Sequence, residues 1–322
     1  MNNLEKYGKV AVLMGGNSAE REISLNSGNA VLTALHDKGV NAHGIDADIH
    51  VIQQLSDGKF DRAFNMLHGR GGEDGVIQGA LELLSMPYTG SGVLASAIGM
   101  DKLKTKEIWI ANEMPTPQFT VIDKNTTLSD ILATVTLPLI IKPMREGSSI
   151  GMSKVSESAD LAKAVEMALQ YDTQVLAEQW IEGSEYTVGI VGDQALPAIR
   201  LETTHDFYDY HAKYESNSTQ YHCPCGLTPE KEAELQQLSK KAFDAIDGEG
   251  WGRVDMMMNE SGETFLIEVN TLPGMTDHSL VPMAAKQAGI DFESLVLKIL
   301  DQTFDENQSD TDDLAPNECK AN

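Results

Sequence analysis

The first ninety residues alternate between apolar runs and amphipathic stretches. Residues 9–14 form an apolar run that ends at a pair of glycines, which is typical of a buried strand leading into a loop. A helix is predicted to begin at the N-cap candidates Asn17 and Ser18 and to end at about Lys38. Because strands and helices alternate, we expect a parallel sheet and a small Rossmann-like domain over residues 1–90. The remaining elements predicted in this block are strands over 42–45 and 63–67 and a helix over 76–84.

The rest of the chain divides into two mixed blocks and a tail. Residues 91–189 and 190–303 each combine helices with strands, so the predicted fold class is α/β, with mixed α and β packing. Residues 304–322 are rich in acidic groups and poor in apolar ones, which predicts a disordered, solvated tail. In the second block we predict helices over 101–111 and 158–169 and strands over 139–142, 152–155 and 175–179. In the third block we predict a helix over 229–246 and strands over 252–258 and 264–270.

The net charge narrows the range of partners. The 322 residues include 24 Lys and Arg against 49 Asp and Glu, a formal charge of −25 at pH 7. Nucleic acids and anionic membrane surfaces need a basic footprint, so both are disfavoured as partners. If the substrate is itself anionic, the few basic side chains must be concentrated where it binds.

Cysteine usage and hydropathy indicate a soluble, cytoplasmic protein. The three cysteines, Cys223, Cys225 and Cys319, are too few for a disulfide framework and are expected to be reduced thiols. The first two are separated by one proline, whereas a zinc knuckle needs two to four intervening residues. No window holds the ~20 apolar residues of a membrane helix, and the N-terminus lacks the long apolar segment of a signal peptide.

A hairpin over residues 252–270 gives the strongest local signal for a site. A four-residue turn that pairs Met258 with Glu263 would place Arg253 opposite Glu268. The polar side chains brought onto one face are then Arg253, Asp255, Glu268 and Asn270.

This polar face has two interpretations. Two carboxylates and an amide oxygen suit a hard cation such as Mg²⁺. A half-exposed antiparallel strand shows the same alternation, so a solvated polar face is equally supported by the residues alone.

Two glycine-rich loops and one aromatic segment are candidates for closing over a ligand. An apolar strand delivers Lys142 to a loop of glycines and hydroxyls that ends at Gly151, and such a loop offers backbone N–H groups to a phosphate. It lacks the order of a Walker A loop. Residues 67–75 hold four glycines between a strand and a helix, where an anion is favoured. Residues 207–214 combine aromatic side chains with a lysine and are predicted to form a lid.

An NAD-dependent dehydrogenase is disfavoured. Gly90-Ser91-Gly92 begins like a dinucleotide fingerprint, but Ala95 stands where the third glycine belongs. The segment also does not lie between the first strand and the first helix.

Together these segments resemble the D-alanine–D-alanine ligase family, ATP-grasp enzymes of peptidoglycan precursor synthesis. The resemblance spans about residues 8–303 and leaves out the acidic tail. It implies an ATP-grasp fold, in which two subdomains clamp ATP behind the N-terminal Rossmann-like domain. The segments that carry it are GGNSAERE (15–22), LHGRGGEDG (67–75), YTGSG (88–92), MDKLKTK (100–106), IKPMREGSSIGMSKV (141–155), FYDYHAKY (207–214), GRVDMMM (252–258) and EVNTLPGMTDHSL (268–280).

The resemblance implies a nucleotide site between the two subdomains. Lys102 and Lys142 would hold the ATP phosphates, and Lys213 would reach the γ-phosphate. Gln179 stands where a lysine is common in the family. The implied adenine and ribose contacts are Glu178, Ile181 and Glu185.

Magnesium or manganese, two ions per site, is implied in the same way. The implied ligands are Asp255, Glu268 and Asn270, the set that the hairpin also brings together.

The first D-alanine would bind by its ammonium group to Glu20. Hydrogen bonds from Ser148 and Tyr214 to Glu20 would hold the loops shut, and His68 would lie beside the substrate. Arg253 and the Gly274 N–H would stabilise the oxyanion that forms later. The group implied to hold the carboxylate of the second D-alanine is Ser279.

The implied reaction is ATP-dependent formation of D-alanyl-D-alanine through a D-alanyl phosphate, with release of ADP and phosphate. A D-alanine–D-lactate ligase is an alternative, although Tyr214 and its loop favour an amine nucleophile. A non-catalytic nucleotide sensor is disfavoured, because the mapped catalytic positions hold competent residues. The family resemblance also implies a homodimer.

Overall fold

The computed structural model describes residues 4–147, 150–203 and 219–304. Its N-terminal part folds as the predicted parallel sheet. The elements in chain order are β1 (Val10–Met14), α1 (Arg21–Asp37), β2 (Ala42–Asp46), α2 (Val51–Gly58), β3 (Arg62–Asn65) and α3 (Val76–Leu83). The strands are ordered β2-β1-β3, and both pairs are parallel. Every residue of β1 is buried, as expected for a central strand covered on both faces.

Helix α1 begins later than the sequence predicts. Its N-cap residue is Glu20, so the prediction of an N-cap at Asn17 or Ser18 is wrong. The Ser18 hydroxyl donates to the His68 carbonyl oxygen at 2.7 Å and accepts from the Glu20 N–H at 3.1 Å. Ser18 therefore connects two loops, and Glu20 lies where α1 starts.

The second block contains a four-stranded antiparallel sheet. Its elements are α4 (Val93–Met100), α5 (Lys102–Ala111), β4 (Phe119–Ile122), α6 (Leu128–Thr134), β5 (Leu139–Pro143), β6 (Ser153–Val155), α7 (Leu161–Ala168) and β7 (Val175–Gln179). The strands are ordered β4-β7-β5-β6. The Asp101 carboxylate caps α5 by accepting from the Leu103 and Lys104 N–H groups. Helix α4 was not predicted, because its sequence is apolar almost throughout and lacks a polar face.

The third block is built on a longer antiparallel sheet. Its elements are β8 (Gly183–Val191), β9 (Gln194–Ala195), β10 (Ile199–Glu202), β11 (Gln220–His222), α8 (Pro229–Asp244), β12 (Trp251–Asn259), β13 (Thr264–Asn270), α9 (Leu280–Gln287) and α10 (Phe292–Asp301). The strands are ordered β11-β10-β8-β12-β13, and β9 pairs with β8. The predicted boundary between the second and third blocks, at residues 189 and 190, lies inside strand β8 and would divide that strand.

The hairpin of β12 and β13 does not have the predicted register. Met258 pairs with Thr264 rather than Glu263, because the Asn259 N–H donates to the Glu263 carbonyl oxygen across the turn, where Gly262 adopts a φ of 82°. A β-bulge follows on β13, where Ile267 is an extra residue with no paired residue on β12, and Asp255 pairs with Glu268.

The bulge separates the two faces of the hairpin. Leu266 lies fully buried in the same apolar cluster as Val254 and Met256. Arg253 pairs with Asn270, two residues along from the Asp255–Glu268 pair and therefore on the same face. The polar face therefore forms as expected, although by a different pairing.

The N-terminal and C-terminal parts share a core. Helix α1 packs on α10, and one buried cluster includes Val12, Phe64, Trp251 and Leu300. This packing brings the start of α1 towards the polar face of the hairpin. Within the described part of the chain, no helix is both long and apolar enough to cross a bilayer.

Candidate active site

A cavity of about 510 Å³ lies where the three parts of the chain meet. The N-terminal domain, the loop after β5 and the segment after β13 all contribute to its lining. The polar and glycine residues that line it include Glu20, Ser27, His68, Glu73, Lys102, Glu146, Gly147, Arg253, Glu268, Asn270, Gly274, Thr276 and Ser279. Eight predicted site residues are thus brought together, from positions up to 259 residues apart in the chain.

The Glu20 carboxylate lies against two glycines on opposite loops. A Cβ atom on Gly69 would lie 2.8 Å from Glu20 Oε2, and one on Gly147 would lie 3.2 Å from the same oxygen. Both loops can therefore approach the carboxylate only because they carry no side chain there. A carboxylate held in this way is suited to an ammonium group.

His68 belongs to a short hydrogen-bonded chain that crosses the cavity wall. Its Nδ1 lies 3.1 Å from Glu73 Oε1, and its Nε2 lies 3.3 Å from Ser27 Oγ. Ser27 Oγ also accepts from the Met275 N–H at 3.1 Å. Ser27 could not be predicted as a site residue, because a serine inside a helix carries no local signal of this kind. Glu73 lies within the 67–75 segment, but its composition does not indicate a contact with His68.

Ser279 is held at the start of α9. Its Oγ accepts from the Thr276 N–H and lies within hydrogen-bond distance of Thr276 Oγ1, both at 2.9 Å. The N-terminus of α9 and these hydroxyls face the cavity. This arrangement favours a carboxylate, because helix N-termini attract anions.

Arg253 and Asp255 form a two-point ion pair on β12. Arg253 Nε donates to Oδ1 and Nη2 donates to Oδ2, both at 2.8 Å, and Thr187 Oγ1 donates to Oδ1 at 2.5 Å. Arg253 lines the cavity, whereas Asp255 lies behind it with 7% of its surface exposed. The pair fixes the guanidinium in one orientation.

The oxygen atoms of Asp255, Glu268 and Asn270 form a donor set that fits Mg²⁺ or Mn²⁺. Asp255 and Glu268 are cross-strand partners, and Asn270 lies next along the same face. A cation there would share Asp255 with Arg253. Among the residues that the structure describes, no cluster of three or more His, Cys, Asp or Glu side chains is arranged to hold a metal, so the amide oxygen is needed to complete the set.

The loop after β5 is held by contacts from both sides. Lys102 Nζ donates to the Glu146 carbonyl oxygen at 2.8 Å and lies 3.4 Å from Glu268 Oε2. Arg70 Nη2 lies 2.6 Å from Glu146 Oε1, and Arg70 Nε donates to the same oxygen. Loop 67–75 and the loop after β5 are therefore joined by an ion pair.

Lys142 and Glu178 form a buried cluster with a third residue, Lys106. Lys142 Nζ donates to Glu178 Oε1 at 2.8 Å, and Lys106 Nζ lies 2.7 Å from Oε2. Burial lowers the pKa of Lys106 to about 8. Burial alone would raise the pKa of Glu178, but the two ammonium groups hold that pKa below its usual range. Lys106 was missed because it occupies a helix position that looks like that of a surface lysine.

The other nucleotide candidates lie on neighbouring elements. Ile181 is buried in the connection between β7 and β8, and Glu185 is half-buried on β8. Neither lines the cavity described above. Ser148, Lys213 and Tyr214 lie outside the described residues, as does the predicted lid over 207–214.

Comparisons with known proteins match most of the chain to one family. Residues 46–91 match the family model described as D-ala D-ala ligase N-terminus, and residues 108–301 match D-ala D-ala ligase C-terminus. A D-alanine–D-alanine ligase from Nitrosococcus oceani is 56% identical over 298 residues, which cover 92% of this chain and 94% of that protein.

Solved structures show the same likeness. The crystal structure of D-alanine–D-alanine ligase from Bacillus anthracis superposes with a TM-score of 0.83 at 33% identity, covering 92% of this chain and 97% of that one. A crystal structure of that enzyme complexed with ATP gives 0.80 at 31% identity with the same coverage. The chain described here belongs to the D-alanine–D-alanine ligase family, ATP-dependent ligases with the ATP-grasp fold.

Proposed function

We propose that this ligase joins two D-alanine molecules through a D-alanyl phosphate to give D-alanyl-D-alanine for peptidoglycan precursors. The observation that carries the proposal is the cavity, whose lining brings together the carboxylate of Glu20 and the cationic groups of Lys102 and Arg253. Glu20 would take the ammonium group of the first D-alanine. Arg253 and the N-terminus of α9 at Ser279 would receive the negatively charged groups of the two substrates.

The first step activates a poor electrophile. A carboxylate oxygen of the first D-alanine attacks the γ-phosphorus of ATP, the bond to the β–γ bridging oxygen breaks, and ADP leaves. Because this transfer is mostly a matter of positioning and charge, cationic side chains around the phosphates are the main requirement. We assign Lys102 and Lys142 to this role, together with Lys213.

The second step forms the peptide bond. The neutral amine of the second D-alanine attacks the acyl carbon, and a tetrahedral oxyanion forms. Arg253 and the Gly274 N–H are assigned to that oxyanion, since charge that develops in the transition state is best stabilised by groups already oriented. The intermediate collapses with loss of inorganic phosphate, and the amine nitrogen gives up a proton.

Closure of the site protects the intermediate. An acyl phosphate hydrolyses when water reaches it, so the reaction needs an enclosed cavity. We assign Ser148 and Tyr214 to closure with Glu20, and His68 to the wall beside the first substrate.

The nucleotide and its cations complete the proposal. Glu178 and Ile181 are assigned to adenine and Glu185 to ribose. Two Mg²⁺ or Mn²⁺ ions, bound through Asp255, Glu268 and Asn270, would neutralise phosphate charge during the transfer.

The organisation of the chain is also proposed. We propose an N-terminal domain over residues 1–90 and a tail over residues 304–322. The boundary between the second and third blocks is proposed between Gln179 and Gly183, so that neither antiparallel sheet is divided. A cytoplasmic location is proposed, because the reaction consumes ATP.

We propose that the protein is a homodimer and that the exposed apolar side chains of α3 and α4 form its interface. Leu83 is 90% exposed, Val76 66% and Leu94 58%. Neighbouring exposed apolar residues of this kind mark surfaces that bind other proteins. Light scattering at micromolar concentration would give twice the chain mass of 35.0 kDa for the wild type and a lower mass for Leu83→Glu. A monomeric wild type would refute the homodimer.

The ligase reaction is tested by measuring phosphate release and dipeptide formation together. With ATP and Mg²⁺, both are expected with D-alanine and neither with L-alanine. D-Lactate offered as the second substrate is expected to give little ester at neutral pH. Comparable use of D-lactate would favour a depsipeptide ligase, and ATP binding without turnover would favour a nucleotide sensor.

A further inference from the structure

Lys106 connects three elements around the proposed nucleotide site. It lies on α5 with none of its surface exposed, and its Nζ contacts Glu178 on β7. The same Nζ donates to Thr116 Oγ1 at 2.6 Å. Thr116 Oγ1 in turn donates to the carbonyl oxygen of Leu266 on β13 at 2.9 Å. One ammonium group thus joins α5 to both antiparallel sheets.

Neutralising the Glu178 carboxylate does not require this second lysine. Glu178 is already paired with Lys142, so the carboxylate would be neutralised without Lys106. Burying an ammonium group is costly, and removing one partner of a buried ion pair destabilises a fold chiefly by leaving the other charge unpaired, which Lys142 would prevent at Glu178. The lowered pKa of Lys106 reflects that cost. A buried cation that charge balance at Glu178 does not require is a candidate for a functional role.

The cluster carries an excess positive charge. Lys106 and Lys142 supply two cations, and Glu178 supplies one anion, all three almost fully buried. In the neighbouring ion pair, Lys102 Nζ lies 3.4 Å from Glu268 Oε2. That pair has no net charge, so it leaves the excess positive charge unchanged. Away from water, an uncompensated charge acts over several ångströms.

We propose that Lys106 is a positioning residue for the nucleotide phosphates. By sharing the Glu178 carboxylate with Lys142, it prevents that carboxylate from neutralising Lys142 and leaves one positive charge for ATP. The inference rests on the proposed contact between Lys142 and the phosphates. In this arrangement Lys106 acts through its neighbours and does not itself touch the substrate.

The first test replaces Lys106 with methionine, which fills a similar volume without charge. For Lys106→Met, calorimetry with a non-hydrolysable ATP analogue and Mg²⁺ should show binding weakened by at least about tenfold, as expected for the loss of one nearby charge. The KM for ATP should rise, whereas the KM for D-alanine should change little and Tm should hold or increase. Lys104→Met is the matched control: Lys104 lies two residues earlier on α5, is 58% exposed and pairs with Glu107.

The second test is a double-mutant cycle, in which Glu178→Gln alone is the reference for any loss of its adenine contact. Without the Glu178 carboxylate, Lys142 is not neutralised, so Lys106→Met should weaken analogue binding less in the Glu178→Gln background than in the wild type. Wild-type affinity in Lys106→Met would overturn the proposal. Equal weakening by Lys106→Met in the two backgrounds, with a lower Tm, would show that Lys106 is only structural. Failure of the wild type to make dipeptide would count against the proposed function, whereas the analogue titration tests Lys106 separately.

Discussion

At the residue scale, glycines govern how the Glu20 carboxylate is presented. Gly69 and Gly147 come from two different parts of the chain, and each backbone passes close to that carboxylate. The half-buried Glu20 side chain is held in place between these two loops when neither loop can move away. If Glu20 binds the first D-alanine as proposed, the separation of the two loops should affect substrate binding as well as the charge of the carboxylate.

Gly147→Ala should weaken binding of the first D-alanine. The added Cβ would lie 3.2 Å from Glu20 Oε2 and 3.3 Å from Oε1, so either the loop or the carboxylate must move. Displacement of a substrate-binding group by less than 1 Å is expected to raise the KM for D-alanine on the order of tenfold, with the KM for ATP little changed.

The control for this variant is Gly79→Ala. Gly79 lies within α3, and an added Cβ would meet only Val93 Cγ2 at 3.8 Å, so the change should leave KM unaltered and slightly raise Tm. An unchanged KM for D-alanine in Gly147→Ala would contradict the proposed role of Glu20.

Cys223 should react slowly with alkylating agents. Burial raises the pKa of its thiol to about 11, so at pH 8 only about one molecule in a thousand carries the reactive thiolate. Peptide mass spectrometry after treatment with iodoacetamide should show a rate well below that of glutathione in the same tube. The rate should still be rising steeply at pH 9. Levelling off below pH 9 would contradict the raised pKa.

At the element scale, the sequence predicts where strands lie better than how they pair. Strand β13 was predicted at its observed bounds, yet the β12–β13 register differs by one residue at the turn and by a bulge at Ile267. Local alternation places Leu266 with Glu268 on one face. In the structure, Leu266 lies on the opposite face, because of its pairing with β12 and its packing in the apolar core. The sequence of one strand alone predicts neither that pairing nor that packing.

The site residues also divide into those that the sequence predicts and those that depend on packing between distant elements. Cavity residues that lie in loops with unusual composition, such as Glu20, His68 and Gly274, could be predicted from their motifs. Ser27 and Lys106 could not, because each lies in a helix where its residue type is ordinary. Their roles arise only when distant elements pack against those helices.

The ion pair between Arg70 and Glu146 should help keep the two loops closed during catalysis. Arg70 is 55% exposed and Glu146 is 19% exposed, so the pair is expected to contribute at most about 1 kcal/mol. Arg70→Glu places like charges together, which should let water reach the acyl phosphate. The measurable result is a ratio of phosphate to dipeptide above one.

The charge-reversed pair is the control for this prediction. Arg70→Glu/Glu146→Arg restores opposite charges and should bring the ratio back towards one. If both variants keep phosphate and dipeptide equal, the pair has no part in closure.

At the scale of the whole molecule, the catalytic cavity depends on packing between the first and last parts of the chain. Contact between α1 and α10 sets where Glu20 lies relative to Arg253 and Ser279. Sequence alternation predicted the N-terminal sheet but not this contact, since patterns within a segment do not specify which other segment covers it.

The net charge of −25 should make stability sensitive to salt. Excess like charge destabilises a compact state, and ions screen that repulsion. Raising the ionic strength from 10 to 150 mM at pH 8 should increase Tm by a few degrees, on the order of 2 °C for about 1 kcal/mol. Sodium chloride and choline chloride should act alike by differential scanning calorimetry. A Tm that stays constant or falls would contradict this account.

The proposed mechanism depends on the formation of an acyl phosphate. Transfer of an oxygen isotope from D-alanine to phosphate tests that step. D-Alanine labelled with ¹⁸O in both carboxyl oxygens would be incubated with the enzyme, ATP and Mg²⁺, and the released phosphate analysed by mass spectrometry. Attack of the carboxylate on ATP predicts one ¹⁸O atom in each phosphate and one in the new peptide carbonyl. Formation of dipeptide with unlabelled phosphate would show that the carboxylate oxygen never bonds to phosphorus and would contradict the mechanism.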